Sequence, residues 1–145
     1  MDLNLRSMKT IEQINQIINW LNDNNKSSNI VLLTQSLNKL SVLCVTLAQD
    51  VSDAYALMNE LEDVYDDKYN SRFTELTAGK DKISAAAAKP QVEAELVEDK
   101  KNHTSAKGGY KKLSMYLDRV DRVNDSFRQY VAGLRDERKN SKGQV

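Results

Sequence analysis

The 145-residue sequence holds one proline, one histidine, one cysteine, one tryptophan and five glycines. So few chain breakers leave little material for the tight turns that sheets require, and an all-α fold is the first reading. A single cysteine excludes a disulfide framework within the chain. Cys44, in an apolar register, reads as a buried thiol of a reducing compartment. His103 has no cysteine at metal-ligand spacing and reads as a packed or partly exposed imidazole. No apolar run is expected to reach the roughly 20 residues that span a bilayer, and the N-terminus lacks the compact apolar region of a signal peptide. The expected location is therefore cytoplasmic.

A catalytic constellation is also missing. The acidic cluster Glu60, Glu62, Asp63, Asp66 and Asp67 lacks the glycine-centred loop of a calcium site and reads as a solvated helix face. Gly79-Lys80 is not preceded by the spaced glycine of a phosphate loop. No enzyme, no metal and no cofactor are expected.

What the chain does have is charge, 21 Lys/Arg against 21 Asp/Glu, distributed unevenly. Residues 1–63 carry four Lys/Arg and eight Asp/Glu, whereas residues 100–145 carry twelve and five. Zero net charge thus hides an acidic front and a basic tail.

Apolar residues recur at helical spacing. Thr10, with Gln13 three residues on, looks like an N-cap for a short amphipathic helix carrying Ile11, Ile14, Ile17, Ile18 and Leu21. The polar run Asn22 to Asn29 reads as a turn. From Ile30 a heptad seam runs through Leu33, Leu37, Leu40, Cys44, Leu47, Val51, Ala54 and beyond, predicting a coiled-coil helix of about 45–50 residues. Leu33, Leu37, Leu40, Leu47 and Val51 are the expected oligomer interface. Val31, Leu32, Val42, Leu43 and Val45 lie outside the strict seam, so more than one neighbour is needed to cover this flank.

Gly79 is expected to stop that helix. Lys89-Pro90 then forces a boundary, with Pro90 in the first turn of the next helix and residues 79–89 as a hairpin tip. The returning helix, Pro90 to Arg138, has its own seam through Leu113, Leu117, Val120, Asn124, Phe127, Val131 and Leu134. Asn124 at a seam position favours one register. Gly108-Gly109 is a hinge, a break or a site of close backbone approach, and residues 139–145 read as a disordered tail. The whole is an all-α protein: a long antiparallel helical hairpin over residues 30–138, preceded by an arm and short helix over residues 1–29.

Two groups mix cations with rings. One is Tyr65, Lys68, Tyr69, Arg72 and Phe73, leading to Lys80, Lys82 and Lys89 around the tip. The other is Lys100, Lys101, Lys107, Tyr110, Lys111 and Lys112, with Arg119, Arg122 and Arg128 beyond. Single-stranded nucleic acid is held by cations that follow its phosphates and by rings that stack on its bases. The same residues also suit a seam of packed tyrosines flanked by i,i+4 ion pairs on a solvated face.

The region from about Tyr65 to Glu137 resembles the UvsY-type recombination mediators of bacteriophages. The likeness rests on Lys68-Tyr69-Asn70-Ser71-Arg72-Phe73 closing a long helix, then Gly79-Lys80, Ala85 to Lys89 and Tyr110-Lys111-Lys112-Leu113. The ending Val123 to Tyr130 extends it. Asp66 and Asp67 depart from a basic segment, and residues 1–29 correspond to nothing in the family. The resemblance implies single-stranded DNA binding through Lys68 and Arg72; the basic-aromatic groups themselves add Tyr69, Phe73, Lys80, Lys82 and Lys89 to the expected site, with Lys107, Lys111 and Lys112 as a secondary patch. It further implies a ring-like homo-oligomer, contacts with a recombinase and with single-strand binding protein, and the host-cell cytoplasm as location. The rival expectation is a coiled-coil scaffold or assembly protein whose basic helix meets an acidic protein.

Overall fold

The computed structural model describes residues 3–24 and 29–143. Four helices follow one another: α1 (Leu3–Asp23), α2 (Ile30–Ala78), α3 (Ala85–Glu95) and α4 (Val97–Lys142). The chain is all-α, with α2 and α4 forming the arms of an antiparallel hairpin. Its contacts divide into two compact units, Met1–Val51 with Leu113–Val145, and Ser52–Lys112.

The first unit is built on the seam of α2. Leu33, Leu37, Leu40 and Leu47 retain 0–2% of their accessible surface, and Cys44 retains 8%. Ile14 and Leu21 of α1 and Val120 and Val131 of α4 complete this core, with Ile17, Ile18, Leu113, Leu117 and Phe127 packed around it. The expected oligomer interface is thereby corrected for these four leucines: helices of the same chain fill the seam and leave no surface for another copy. Val51 is half-buried at the end of this stretch.

Polar groups fix how the helices meet. Asp50, 1% exposed, accepts from Arg6 Nε at 2.7 Å and from Ser7 Oγ at 3.1 Å. A buried carboxylate needs such partners, because ionised oxygens lose far more hydration than an apolar neighbour returns. On the other flank Tyr116 Oη donates to Asn15 Oδ1 at 2.7 Å. Asn124, 9% exposed, donates to Ser41 Oγ at 3.2 Å, and Arg135 donates to Thr34 Oγ1 at 2.9 Å. Burial first, and then the charge and hydrogen bond of Asp121, push the Cys44 thiol up to about 11.

Several local expectations change. Thr10 is no cap: α1 begins seven residues earlier, and the Thr10 hydroxyl donates to Arg6 O at 3.1 Å inside the helix. Extending the helix puts Ser7 on the buried stripe, where it reaches Asp50. The turn around Asn22–Asn29 falls partly outside the described residues; Asn29 accepts from Leu32 N at 3.2 Å and caps α2. Pro90 lies inside α3, not in its first turn, because Ser84 caps a run of alanines that starts the helix at Ala85. The helix break falls at Leu96, not at Gly108-Gly109, where α4 is continuous and a Cβ on either glycine would meet nothing within 4 Å. Helix α4 continues through Lys142, so residues 139–142 are helical; Lys139 and Lys142 suit the negative end of its dipole.

Helix α2 also contains an 18-residue window of mean hydropathy 1.6, long and apolar enough by length and composition to cross a membrane. This corrects the expectation that no such run exists: isolated Ser, Thr, Asn and Gln, and the charged Lys39, interrupt the stretch while leaving its average apolar. Within the fold 33% of that window is buried.

Two substitutions test this architecture by chemical denaturation. Leu40→Ala, at a fully buried site, is expected to cost about 2–5 kcal/mol. Gly108→Ala with Gly109→Ala is expected to add roughly 1–2 kcal/mol, since both are interior helical positions with open space; a loss of stability would expose a contact there.

Candidate nucleic-acid interface

The second unit holds the cations and rings that the sequence places around the hairpin tip. Here α2 runs to Ala78, a turn follows, and Ile83 N donates to Leu76 O at 2.9 Å to close it. Ser84 then starts α3, whose Ala88 and Val92 are fully buried.

Tyr65, Tyr69 and Phe73 recur every fourth residue of α2 and form a ladder. Ring centroids are 6.1 Å apart for Tyr65 and Tyr69, and 6.0 Å apart for Tyr69 and Phe73, the latter pair nearly parallel at 11°. All three rings are half-buried. Burial, and then the charge of Glu93, raise the Tyr65 hydroxyl above its ordinary value. Lys100 Nζ stands 6.0 Å from the Tyr65 centroid, at the outer limit for a cation–π contact. Tyr55 and Tyr110 pair separately, 5.2 Å apart and tilted.

The cations fall into two sets. Lys68 is bound to Asp99 at 2.7 Å. Arg72 donates to Glu95 through Nε at 2.8 Å and Nη2 at 3.3 Å, and to Glu75 through Nη1 at 3.0 Å. These two residues join α2 to α3 and α4, bordering a shallow notch of about 480 Å³ that Ser71 and Leu96 also line. In contrast Lys80, Lys82 and Lys89 are exposed, and among the described residues no ion pair engages them. The same holds for Lys107, Lys111 and Lys112 along α4.

The expected site is therefore not one surface with one role. Lys68 and Arg72 clasp the hairpin, Tyr69 and Phe73 stack within it, and the three lysines of the tip, with Asp81 between two of them, are exposed without an ion pair among the described residues. Glu95 and Asp99 are the partners that reading the sequence alone misses. A usable signal is present all the same: folding the two arms about Ser84 sets Lys68 level with Lys100 and Arg72 level with Leu96, each one residue from the acid it binds.

The chain matches no protein-family model, no curated protein and no solved structure.

The Arg72–Glu95 clasp has a defined response to pH. The Arg72 hydrogen bond holds the Glu95 carboxyl below its ordinary value, helped by Gln91 and opposed by slight desolvation. A carboxylate lowered on folding stabilises the fold above the unfolded value, and that contribution is lost as pH falls through the folded one. The clasp is expected to persist through neutral pH and to open only at a pH below the ordinary glutamate range. Carboxyl NMR titration checks this; in Arg72→Ala the Glu95 midpoint is expected to rise, and an unchanged midpoint would refute the assignment.

Proposed function

We propose that this chain is a non-enzymatic recombination mediator that binds single-stranded DNA at the hairpin tip and helps load a recombinase onto strands coated by single-strand binding protein. The observation that carries the DNA-binding part is the exposure of Lys80, Lys82 and Lys89 without carboxylate partners among the described residues, in the unit that also holds the aromatic ladder. Uncompensated cations release counterions when they meet phosphates, whereas a cation already held by a carboxylate gains less from the exchange. Lys107, Lys111 and Lys112 offer a second set of the same kind. The mediator role, and its recombinase and single-strand binding protein partners, rest on the resemblance of residues 65–137 to the UvsY-type proteins.

The engagement of Lys68 and Arg72 favours a second reading. Cations that brace a hairpin belong equally to a scaffold protein, whose unpaired lysines would then meet an acidic protein surface. Nucleic-acid binding separates the two.

Fluorescence anisotropy of a labelled oligo-dT, measured over a salt series, tests the proposal. Binding is expected at low salt, with a single-strand slope of about 0.7 per phosphate contact. Lys80→Ala with Lys82→Ala is expected to flatten the slope by about 1.4 on the same basis. No binding at low salt, or an unchanged slope, would reject the tip as the site.

A further inference from the structure

The unit Ser52–Lys112 carries two exposed lines of side chains at coiled-coil spacing, one on each arm of the hairpin. On α2, Leu57, Glu60, Val64, Asp67 and Ser71 follow one another in alternating steps of three and four, and on α4 so do Val97, Lys100, Thr104, Lys107 and Lys111. All are exposed; Leu57 is 44%, Val64 37% and Val97 57% accessible. A solvated helix face ordinarily mixes both signs and pairs them three or four residues apart. Each of these lines instead has charge of one sign only, acid on α2 and lysine on α4, set between apolar or small residues in the alternation of a helix seam. Among the described residues no ion pair engages Glu60, Asp67, Lys100, Lys107 or Lys111, and Lys100 stands only over the Tyr65 ring at 6.0 Å. The cations beside the α2 line, Lys68 and Arg72, are already held by Asp99 and Glu95.

We propose that the α2 line of one copy of this chain takes the α4 line of another, the two helices parallel and in register. Leu57 then meets the partner's Val97, Glu60 the partner's Lys100, Val64 the partner's Thr104, Asp67 the partner's Lys107 and Ser71 the partner's Lys111. Both acids find lysines, Leu57 finds valine, and Val64 finds the threonine methyl. This match is what commits the occupant: a second copy supplies on one helix the spacing, the sign and the apolar positions that the acidic line needs. Single exposed ion pairs contribute little to affinity, so the charges act chiefly to choose partner and register.

One chain cannot pair its own two lines in this way, because its α2 and α4 run antiparallel. An antiparallel pairing between copies would keep each acid opposite a lysine, but it would set Leu57 against Lys111 and Val97 against Ser71. Only the parallel register places apolar on apolar at that end. The lysines of the tip lie on neither line, so the inference is independent of the DNA-binding reading there and takes only Lys107 and Lys111 from its second set.

Sedimentation analysis of the full chain without DNA tests it. The chain is expected to self-associate at low salt and less so as salt rises, because exposed charges are screened. Glu60→Lys with Asp67→Lys in one variant, and Lys100→Glu with Lys107→Glu in another, are each expected to weaken association by on the order of 10-fold. An equal mixture of the two is expected to regain it, since the new lysines on α2 of the first face the new glutamates on α4 of the second. Far-UV circular dichroism should stay unchanged, all four sites being exposed. If a reversed variant misfolds, Glu60→Gln with Asp67→Asn serves instead, and weaker association with a flatter salt dependence is expected. Register is read in a Cys44→Ala background: Leu57→Cys chains mixed with Val97→Cys chains are expected to form a disulfide-linked pair that Leu57→Cys with Lys111→Cys chains form poorly. A wild-type chain that stays single at high micromolar concentration overturns the proposal. So does undiminished association of either reversed variant, a mixture that fails to restore it, or preferential linking of Leu57→Cys to Lys111→Cys.

Discussion

The structure depends on one row of side chains being shared by two helices. Leu33, Leu37, Leu40, Cys44 and Leu47 lie in a stripe narrow enough for one coiled-coil partner, yet α1 and α4 both reach it. Each newcomer covers the flank the other leaves open, so the leucines become fully buried and the helices acquire fixed places around α2. The partition of α2 follows from this. One side is core, and the other is left with Val31, Val42 and Val45 in water.

Polar residues convert that sharing into a single register. A line of leucines tolerates sliding by a heptad, because each step presents the next leucine to the same hole. Asp50 does not, since only one position of α1 brings both Arg6 and Ser7 to its carboxylate. Asn124 acts similarly between α2 and α4 through Ser41, although its own carbonyl oxygen is buried without a partner, so that the amide costs stability while it limits the alternatives. In the second unit, where few side chains are fully buried, charge fixes the register instead, with Lys68 and Arg72 tying the arms together across a thin apolar layer. A cation so used contributes less to binding an outside anion, which divides the basic residues by role more sharply than their spacing does.

The large elements are legible in the sequence because they rest on periodicity. The seams of α2 and α4 are visible as spacing, and Leu33, Leu40, Val120 and Val131 are buried where that spacing puts them. Element ends are less legible, because capping residues occur in excess of caps: Thr10 with Gln13 has the right form but lies inside a longer helix, while Ser84, a true cap, stands before a run of alanines that signals little by itself. Pro90, inside α3, does not end that helix, and Gly108-Gly109 does not interrupt the long α4. The candidate site is half legible. Its cations and rings can be picked out, but which cations are already paired depends on residues from another helix. The seam itself looks like an oligomer surface, since sequence shows that a stripe is apolar without showing which neighbour covers it.

The division of the chain into Met1–Val51 with Leu113–Val145 on one hand, and Ser52–Lys112 on the other, bears on the order in which the fold can be assembled. During synthesis the first fifty residues emerge as two helices with a core that lacks one wall. That wall, Val120 to Leu134, is made last, after the whole hairpin tip has been built. Contacts such as Tyr116 with Asn15 and Arg135 with Thr34 span 101 residues, and their loop-closure entropy is met cheaply only once the intervening hairpin has closed. A closed tip leaves those pairs a shorter effective loop to close.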